Sequence, residues 1–228
     1  MSQTGVVVGL AVRELWISFR LLLLLTAYVA VGAAAALPQA SLPAILVRLA
    51  VGVSAATIVG AAIAAWSLSR DRVLGRAGWL ATRSIPRGTI LVGWFVALVF
   101  VSILGLVAVG LLGWLAASTA STSLDPVAFS TIFGAIACGS LALLALGLLF
   151  GAILRPLAAV IAAAVASALI IAVAWFALPR VALPVEALVH LSRLPAPISI
   201  AVQGGGASLA LAALLLLVAH AALERVDL

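Results

Sequence analysis

Lysine is absent from this 228-residue sequence, and charged residues of every kind are scarce. Only 8% of the residues are charged, whereas 67% are hydrophobic and the mean hydropathy is +1.41. Because a soluble globular domain is about half apolar, this composition excludes one. Runs of about 20 apolar residues can cross a bilayer core of roughly 30 Å as helices, which satisfy their own backbone hydrogen bonds. The sequence therefore predicts an all-α membrane protein.

Other absences exclude several kinds of chemistry. Cys138 is the single cysteine and lies in an apolar segment, so the chain cannot build a disulfide or a thiolate metal site. Without lysine it cannot form the G-x-x-x-x-G-K-[ST] loop that binds phosphates. No predicted span carries an ionisable residue at mid-depth, which disfavours ion-coupled transport. We predict no catalytic, cofactor-binding or metal site in this chain, and hence no enzyme activity of its own.

Six apolar segments, separated by polar breaks, form one predicted transmembrane domain over residues 1–228. Residues 1–20 are interpreted as an interfacial helix, because Trp16 and Arg20 suit the membrane–water boundary. Residues 69–89 are rich in arginine, and residues 179–206 include a short amphipathic piece. The predicted spans are residues 21–37, 45–68, 90–116, 127–154, 157–178 and 207–223.

Short local signals refine these boundaries. Asp125, followed by proline, is typical of a helix start. Arg155 and the proline after it leave a turn of two or three residues, so the fourth and fifth spans must be antiparallel neighbours. Gly147 and Gly151 predict close approach of another helix to the fourth span. The run Gly204–Gly206 is interpreted as a flexible entry to the sixth span.

The arginines are distributed unequally between the two sides of the membrane. Six spans place both termini on one side, with nine arginines there and three on the other. The positive-inside rule then assigns the termini and residues 69–89 to the cytoplasm. Because the charge of +6 forms no basic domain, no nucleic-acid partner is expected. The lysine-free, alanine-rich composition suggests a GC-rich bacterial genome, and we expect the chain in the bacterial cytoplasmic membrane. The inner arginines are Arg13, Arg20, Arg70, Arg72, Arg76, Arg83, Arg87, Arg155 and Arg225; the outer ones are Arg48, Arg180 and Arg193.

The break at residues 69–89 has a helical pattern of its own. Five of the twelve arginines fall within the eighteen residues from Arg70 to Arg87. Apolar residues recur at steps of three and four from Asp71 onward, which predicts a short amphipathic helix over Val73 to Arg83. This helix either docks in a groove of a separate cytoplasmic protein or belongs to a solvated loop held near anionic headgroups.

The same stretch resembles the loop between the second and third helices of ABC-2 type transporter permeases. In that family an acidic residue precedes a glycine, a short leucine-containing helix follows, and an arginine-containing turn leads into the third helix. The matching positions are Asp71, Gly75, Leu80, Arg87 and Gly93. The sequence departs from the pattern at Arg76, where threonine is usual, at Pro86, which is two places late, and at Trp94, where lysine is frequent.

The resemblance implies the ABC-2, type V exporter-like fold, with an interfacial helix, six spans and both termini in the cytoplasm. It also implies a permease half that pairs with a second copy or a related permease. ATP and Mg²⁺ would be bound by a separate cytoplasmic ATPase subunit. The residues implied to couple to that subunit are Asp71, Gly75, Leu80, Arg83 and Arg87.

Transport is one of three functional interpretations. Spans without ionisable residues at mid-depth suit an amphiphilic or hydrophobic cargo for export. The second is a membrane protein without transport, either a scaffold or a protein that transmits ATPase-driven motion to an assembly process. The third, an intramembrane enzyme, is disfavoured, since no paired carboxylates or histidine cluster lies at membrane depth.

Overall fold

The computed structural model describes residues 3–35, 41–75, 85–120, 125–177 and 198–225. Over these ranges the chain contains seven helices and no strand, so the predicted all-helical class is confirmed there. The helices are α1 (Gln3–Ile17), α2 (Arg20–Ala35), α3 (Leu42–Val73), α4 (Arg87–Ala120), α5 (Pro126–Ile153), α6 (Pro156–Ala177) and α7 (Ile198–Arg225).

Five of these helices, α3 to α7, are long and apolar enough to cross a membrane. Helices α1 and α2 meet at a bend of 72°, and the pair passes the same test together, so the described helices provide up to six spans. Phe19 lies at the bend with a φ of 59°. A left-handed conformation costs a residue with a side chain about 1–2 kcal/mol, and Phe19 is mostly exposed, so the packing of α1 on α4 and of α2 on α3 and α4 must offset this cost.

Helices α3 and α5 form the centre of the bundle. Helix α3 packs against α2, α4, α5 and α6, and α5 packs against α3, α4, α6 and most extensively α7. In the most apolar stretches of α3 and α5, 44% and 61% of the residues are buried, compared with 17% in α6 and in α7. The faces of α6 and α7 that point away from the centre are therefore exposed on this chain.

Two glycines explain how closely the central helices approach. A Cβ atom on Gly151 would lie 2.7 Å from the carbonyl oxygen of Ala65, and one on Gly147 would overlap the carbonyl group of Ala61. Only hydrogen at these positions lets α5 lie against the backbone of α3, which confirms the predicted close approach.

Two helix boundaries agree with their local signals. The carboxylate Oδ1 of Asp125 accepts a hydrogen bond from the backbone N–H of Val127 at 2.9 Å, which confirms Asp125 as the N-cap of α5. Only Leu154 and Arg155 separate α5 from α6, and the two helices pack against each other as predicted.

The interpretation of Gly204–Gly206 as a flexible entry was wrong. Helix α7 begins at Ile198, so the three glycines lie within it. A Cβ atom on Gly205 would be 3.2 Å from Cα of Ala135, which shows that this glycine lets α7 pack closely on α5. A run of glycines suggests flexibility, whereas here Gly205 serves helix–helix packing.

Candidate functional site at the ends of the arginine-rich loop

Five helix ends meet at one end of the bundle. They are the beginnings of α2 and α4 and the ends of α3, α5 and α7, and side-chain hydrogen bonds join them across long sequence separations. This is the end that the arginine distribution assigns to the cytoplasm. We call residues 74–86, which connect α3 to α4, the connecting loop.

Asp71, the acidic residue of the family pattern, is bonded to the next helix. The indole N–H of Trp94 in α4 donates to Oδ2 of Asp71 at 2.9 Å. Both side chains are buried, with 8% and 2% of their surfaces exposed. A carboxylate buried at this depth is tolerated because hydrogen bonds replace its hydration. The bond fixes the end of α3 against the first turns of α4.

Arg20 attaches the beginning of α2 to the same part of α3. Its guanidinium Nη1 donates to the hydroxyl oxygen of Ser67 at 3.0 Å. Ser67 is fully buried, and Arg20 is only 9% exposed. Because Ser67 and Asp71 are four residues apart, they lie on the same face of α3. One turn of α3 thus receives polar side chains from both α2 and α4.

Arg72 joins the end of α3 to the end of α5. Its Nη1 donates to the carbonyl oxygen of Gly151 at 2.9 Å. The last four carbonyls of a helix have no partner within the helix, and Gly151 is among the last four residues of α5. Arg72 therefore caps α5 from a neighbouring helix, next to the position where α3 and α5 approach most closely.

Arg87 caps α7 in the same way. Its Nη1 donates to the carbonyl oxygens of Leu223 and Glu224 at 2.9 and 3.0 Å. A cation at a helix C-terminus is also favoured by the helix dipole. The first residue of α4 is thereby bound to the last turn of α7.

Replacing Arg87 with glutamine should loosen the last turn of α7. Hydrogen bonds to charged groups contribute about 1.5–3 kcal/mol, so we expect the free energy of local opening to fall by about that amount. Hydrogen exchange of the peptide ending at Arg225, measured in detergent micelles, would report the change. Arg48→Gln is the control, because Arg48 is an exposed arginine near the other end of α3. Equal exchange in both variants would contradict the capping role.

The structure corrects the predicted start of the amphipathic helix. Residues through Val73 belong to α3, and Gly75 then takes a φ of 70°. The N–H groups of Leu74 and Gly75 bond back to the carbonyls of Arg70 and Arg72. Such a left-handed glycine ends a helix, so no single helix runs from Val73 to Arg83. The rest of the predicted helix, with Leu80 and Arg83, lies outside the described residues.

Gly93, another residue of the family pattern, makes room for α1. A Cβ atom there would overlap the side chain of Val7. Helix α1 therefore packs on the first turns of α4, one residue before Trp94. This contact connects the predicted interfacial helix to the helix that follows the connecting loop.

Of the five residues implied to couple to a partner, three can be placed. Asp71 and Arg87 are held by bonds to other helices, and Gly75 ends α3. Sequence reasoning missed three bonding partners. Trp94 donates to Asp71, Ser67 accepts from Arg20, and the carbonyl of Gly151 accepts from Arg72. Trp94 was noted only as a departure from the pattern, although a buried tryptophan usually bonds through its N–H.

The long apolar helices and the arginine-rich end define the chain as an all-α, multi-pass membrane protein. No protein-family model matches the sequence, and no curated protein matches it significantly.

Proposed function

We propose that this chain is the membrane-spanning permease subunit of an ATP-binding-cassette transporter that exports an amphiphilic or hydrophobic substrate. The observation that supports it is the anchoring of the connecting loop. At one end of the loop Asp71 and Arg72 bond to α4 and α5, and at the other end Arg87 bonds to α7. A force applied to the loop would reach four helices at once.

In this proposal the loop is the contact with an ATPase subunit. Binding of ATP would close two such subunits and draw the two connecting loops of a permease pair together. Because α3 and α5 pack against most of the other helices, their tilt would move the whole bundle and so change access to a path between the permeases. ATP bound to the partner would thus shift the permease pair between two conformations. ATP and Mg²⁺ would be held by the partner, which supplies the hydrolytic chemistry.

The residue types in the connecting loop suit such a partner. The sequence between α3 and α4 offers Leu74 and Leu80 for an apolar groove, and Arg76 and Arg83 for an acidic rim. The caps on α5 and α7 give Arg72 and Arg87 roles within the chain. Arg83 is therefore the sharper choice for testing contact with the partner.

We expect Arg83→Glu to uncouple ATP hydrolysis from transport. The reversed charge would repel an acidic rim, and like-charge juxtaposition in an interface costs several kcal/mol. The measurement is substrate-stimulated ATPase activity of the complex purified from native membranes in mild detergent. Arg48→Glu, at the opposite end of α3, is the control. Adding a reversal at Arg87 should also lower stability, because that change removes the cap on α7.

Unchanged stimulated activity in Arg83→Glu would contradict docking at this loop. A chain that copurifies with ATPase activity but moves no amphiphile would indicate mechanical transmission. A chain without any ATPase partner would indicate a scaffold.

A further inference from the structure

A cavity of about 70 Å³ lies midway along the bundle, between α3, α5, α6 and α7. Four hydroxyl-bearing side chains and several apolar ones line it. The hydroxyls come from α3, α5 and α7, while α6 contributes only apolar residues. The hydroxyl-bearing residues are Ser54, Thr57, Ser140 and Ser208.

The hydroxyls converge rather than being scattered along the spans. In the described parts of these four helices, five serines and threonines lie near mid-length, and four of them line the cavity. The fifth, Ser167, is fully buried elsewhere on α6. The hydroxyls at mid-length are thus concentrated at one place, which gives the apolar interior of the bundle a polar patch.

Each hydroxyl uses its proton on its own helix. The hydroxyls of Ser54, Thr57, Ser140 and Ser208 donate to backbone carbonyls three or four residues earlier, at 2.7–2.8 Å. A hydroxyl oxygen keeps acceptor capacity after it has donated. The cavity therefore offers hydrogen-bond acceptors, and it suits a ligand that brings the donors.

The cavity opens sideways, towards lipid. Helices α6 and α7 both pack on α5 but make at most marginal contact with each other in the described structure. Apolar side chains from both helices form the rim, and two of them, Ile170 and Leu211, are 41% and 44% exposed. A hydrocarbon chain at this rim would stay in an apolar environment while a polar group reached the hydroxyls.

We propose that this cavity binds the uncharged hydrogen-bond donor of a membrane-embedded amphiphile, a hydroxyl or an amide, whose hydrocarbon chain lies between α6 and α7. A charged group does not fit, because the lining supplies no counterion and a bare charge at this depth is costly. The volume is several times the roughly 10–15 Å³ that one water requires, which suits a polar group but not a whole lipid.

This inference names the chemical class of the cargo and so rests on the transport function proposed above. It can nevertheless be tested on the purified full chain without any ATPase. Loss of the ATPase interaction would leave this binding intact, and loss of binding would leave the coupling proposal standing. The two failures are therefore distinguishable.

The test compares two photoreactive probes, a long-chain 1-alkanol and its O-methyl ether. Both carry the same hydrocarbon chain, but only the alkanol can donate a hydrogen bond. We expect the alkanol to bind about fivefold more tightly, the ratio that corresponds to one net hydrogen bond. Its crosslinks, mapped by mass spectrometry, should concentrate on α6 and α7 around Ile170 and Leu211.

Two pairs of variants locate the site. A Cβ atom on Gly139 would meet only the hydroxyl of Ser208, at 3.9 Å, and Gly139 lines the cavity, so we expect Gly139→Val to fill part of it. It should abolish the preference for the alkanol. Gly206→Val, where a Cβ atom meets nothing within 4 Å, should leave the preference unchanged. Ser140→Ala should reduce it, and Ser167→Ala should not.

Equal labelling by the alkanol and the ether would overturn the proposal, since the hydroxyls of the cavity would then contribute nothing to binding. Crosslinks outside the rim would overturn it as well. If Gly139→Val fails to fold, Ser140→Ala decides the matter, because the change from serine to alanine removes one oxygen and adds no volume. An unchanged preference in Ser140→Ala would contradict the assignment.

Discussion

Asp71→Ala is expected to destabilise the folded chain by about 2–3 kcal/mol. The substitution leaves the indole N–H of Trp94 buried without its acceptor, in a position where water cannot easily replace the carboxylate. Losing a charged partner of a buried donor costs about that amount. Thermal unfolding in detergent micelles, followed by loss of the monodisperse species on size-exclusion chromatography, would measure the change. Substrate-stimulated ATPase activity of the complex should fall as well, because α3 would no longer be fixed to α4.

Two further variants separate the hydrogen bond from simple loss of packing. Asp71→Asn keeps an amide oxygen for the indole but removes the charge, so it should cost less than alanine. Trp94→Phe removes the donor and keeps most of the ring. In a double-mutant cycle, residues in direct contact show coupling energies of about 0.5–3 kcal/mol. If the Asp71→Ala and Trp94→Phe effects simply add, the bond does not fix α3 to α4.

The general organisation of the fold could be predicted because it depends on hydropathy. The length of an apolar run can be counted locally in the sequence, and a run of about 20 residues indicates a helix that crosses lipid. The N-cap at Asp125 and the short turn at Arg155 were also predictable, since neighbouring residues determine both. The boundaries were less predictable: α3 continues to Val73, because Arg72 near its end bonds to the adjacent helix α5 instead of ending the span.

Glycine shows why local reasoning stops short. Gly75 ends a helix, Gly147 and Gly151 bring two helices together, and Gly205 does the same within a run whose sequence predicts flexibility. The residue is identical in each case, and only the neighbour in space decides its role. That neighbour belongs to a different helix, so no window of sequence contains it.

The candidate site could be predicted only in part, because the partners of its residues lie on other helices. Its position between the second and third spans follows from arginine density and from the family pattern. The partners of Arg72 and Arg87 are backbone carbonyls of Gly151 and Leu223, separated from them by 79 and 136 residues. A backbone carbonyl has no sequence signature. An arginine that caps a distant helix therefore looks the same in sequence as one that contacts another protein.

The close contact between α3 and α5 supports a second large effect, at Gly147. Alanine is a better helix former than glycine by up to about 1 kcal/mol, so Gly→Ala on a helix stabilises it wherever there is room. At Gly134 in α5 a Cβ atom would meet nothing within 4 Å, and Gly134→Ala should be neutral or slightly stabilising. At Gly147 a Cβ atom would overlap the carbonyl of Ala61 in α3. We therefore expect Gly147→Ala to destabilise the protein.

The loss at Gly147→Ala should be about 3 kcal/mol or more. Over-packing of a core usually costs about 1–3 kcal/mol because side chains can shift, but the obstacle here is the backbone of the central helix. The helices α3 and α5 would have to separate, and the bond from Arg72 to Gly151, one turn further along, would lengthen with them. Unfolding by SDS titration, compared with Gly134→Ala, measures the difference. If both variants unfold at the same SDS fraction, α3 and α5 are not in direct backbone contact, and a force on the connecting loop would no longer pass from one central helix to the other.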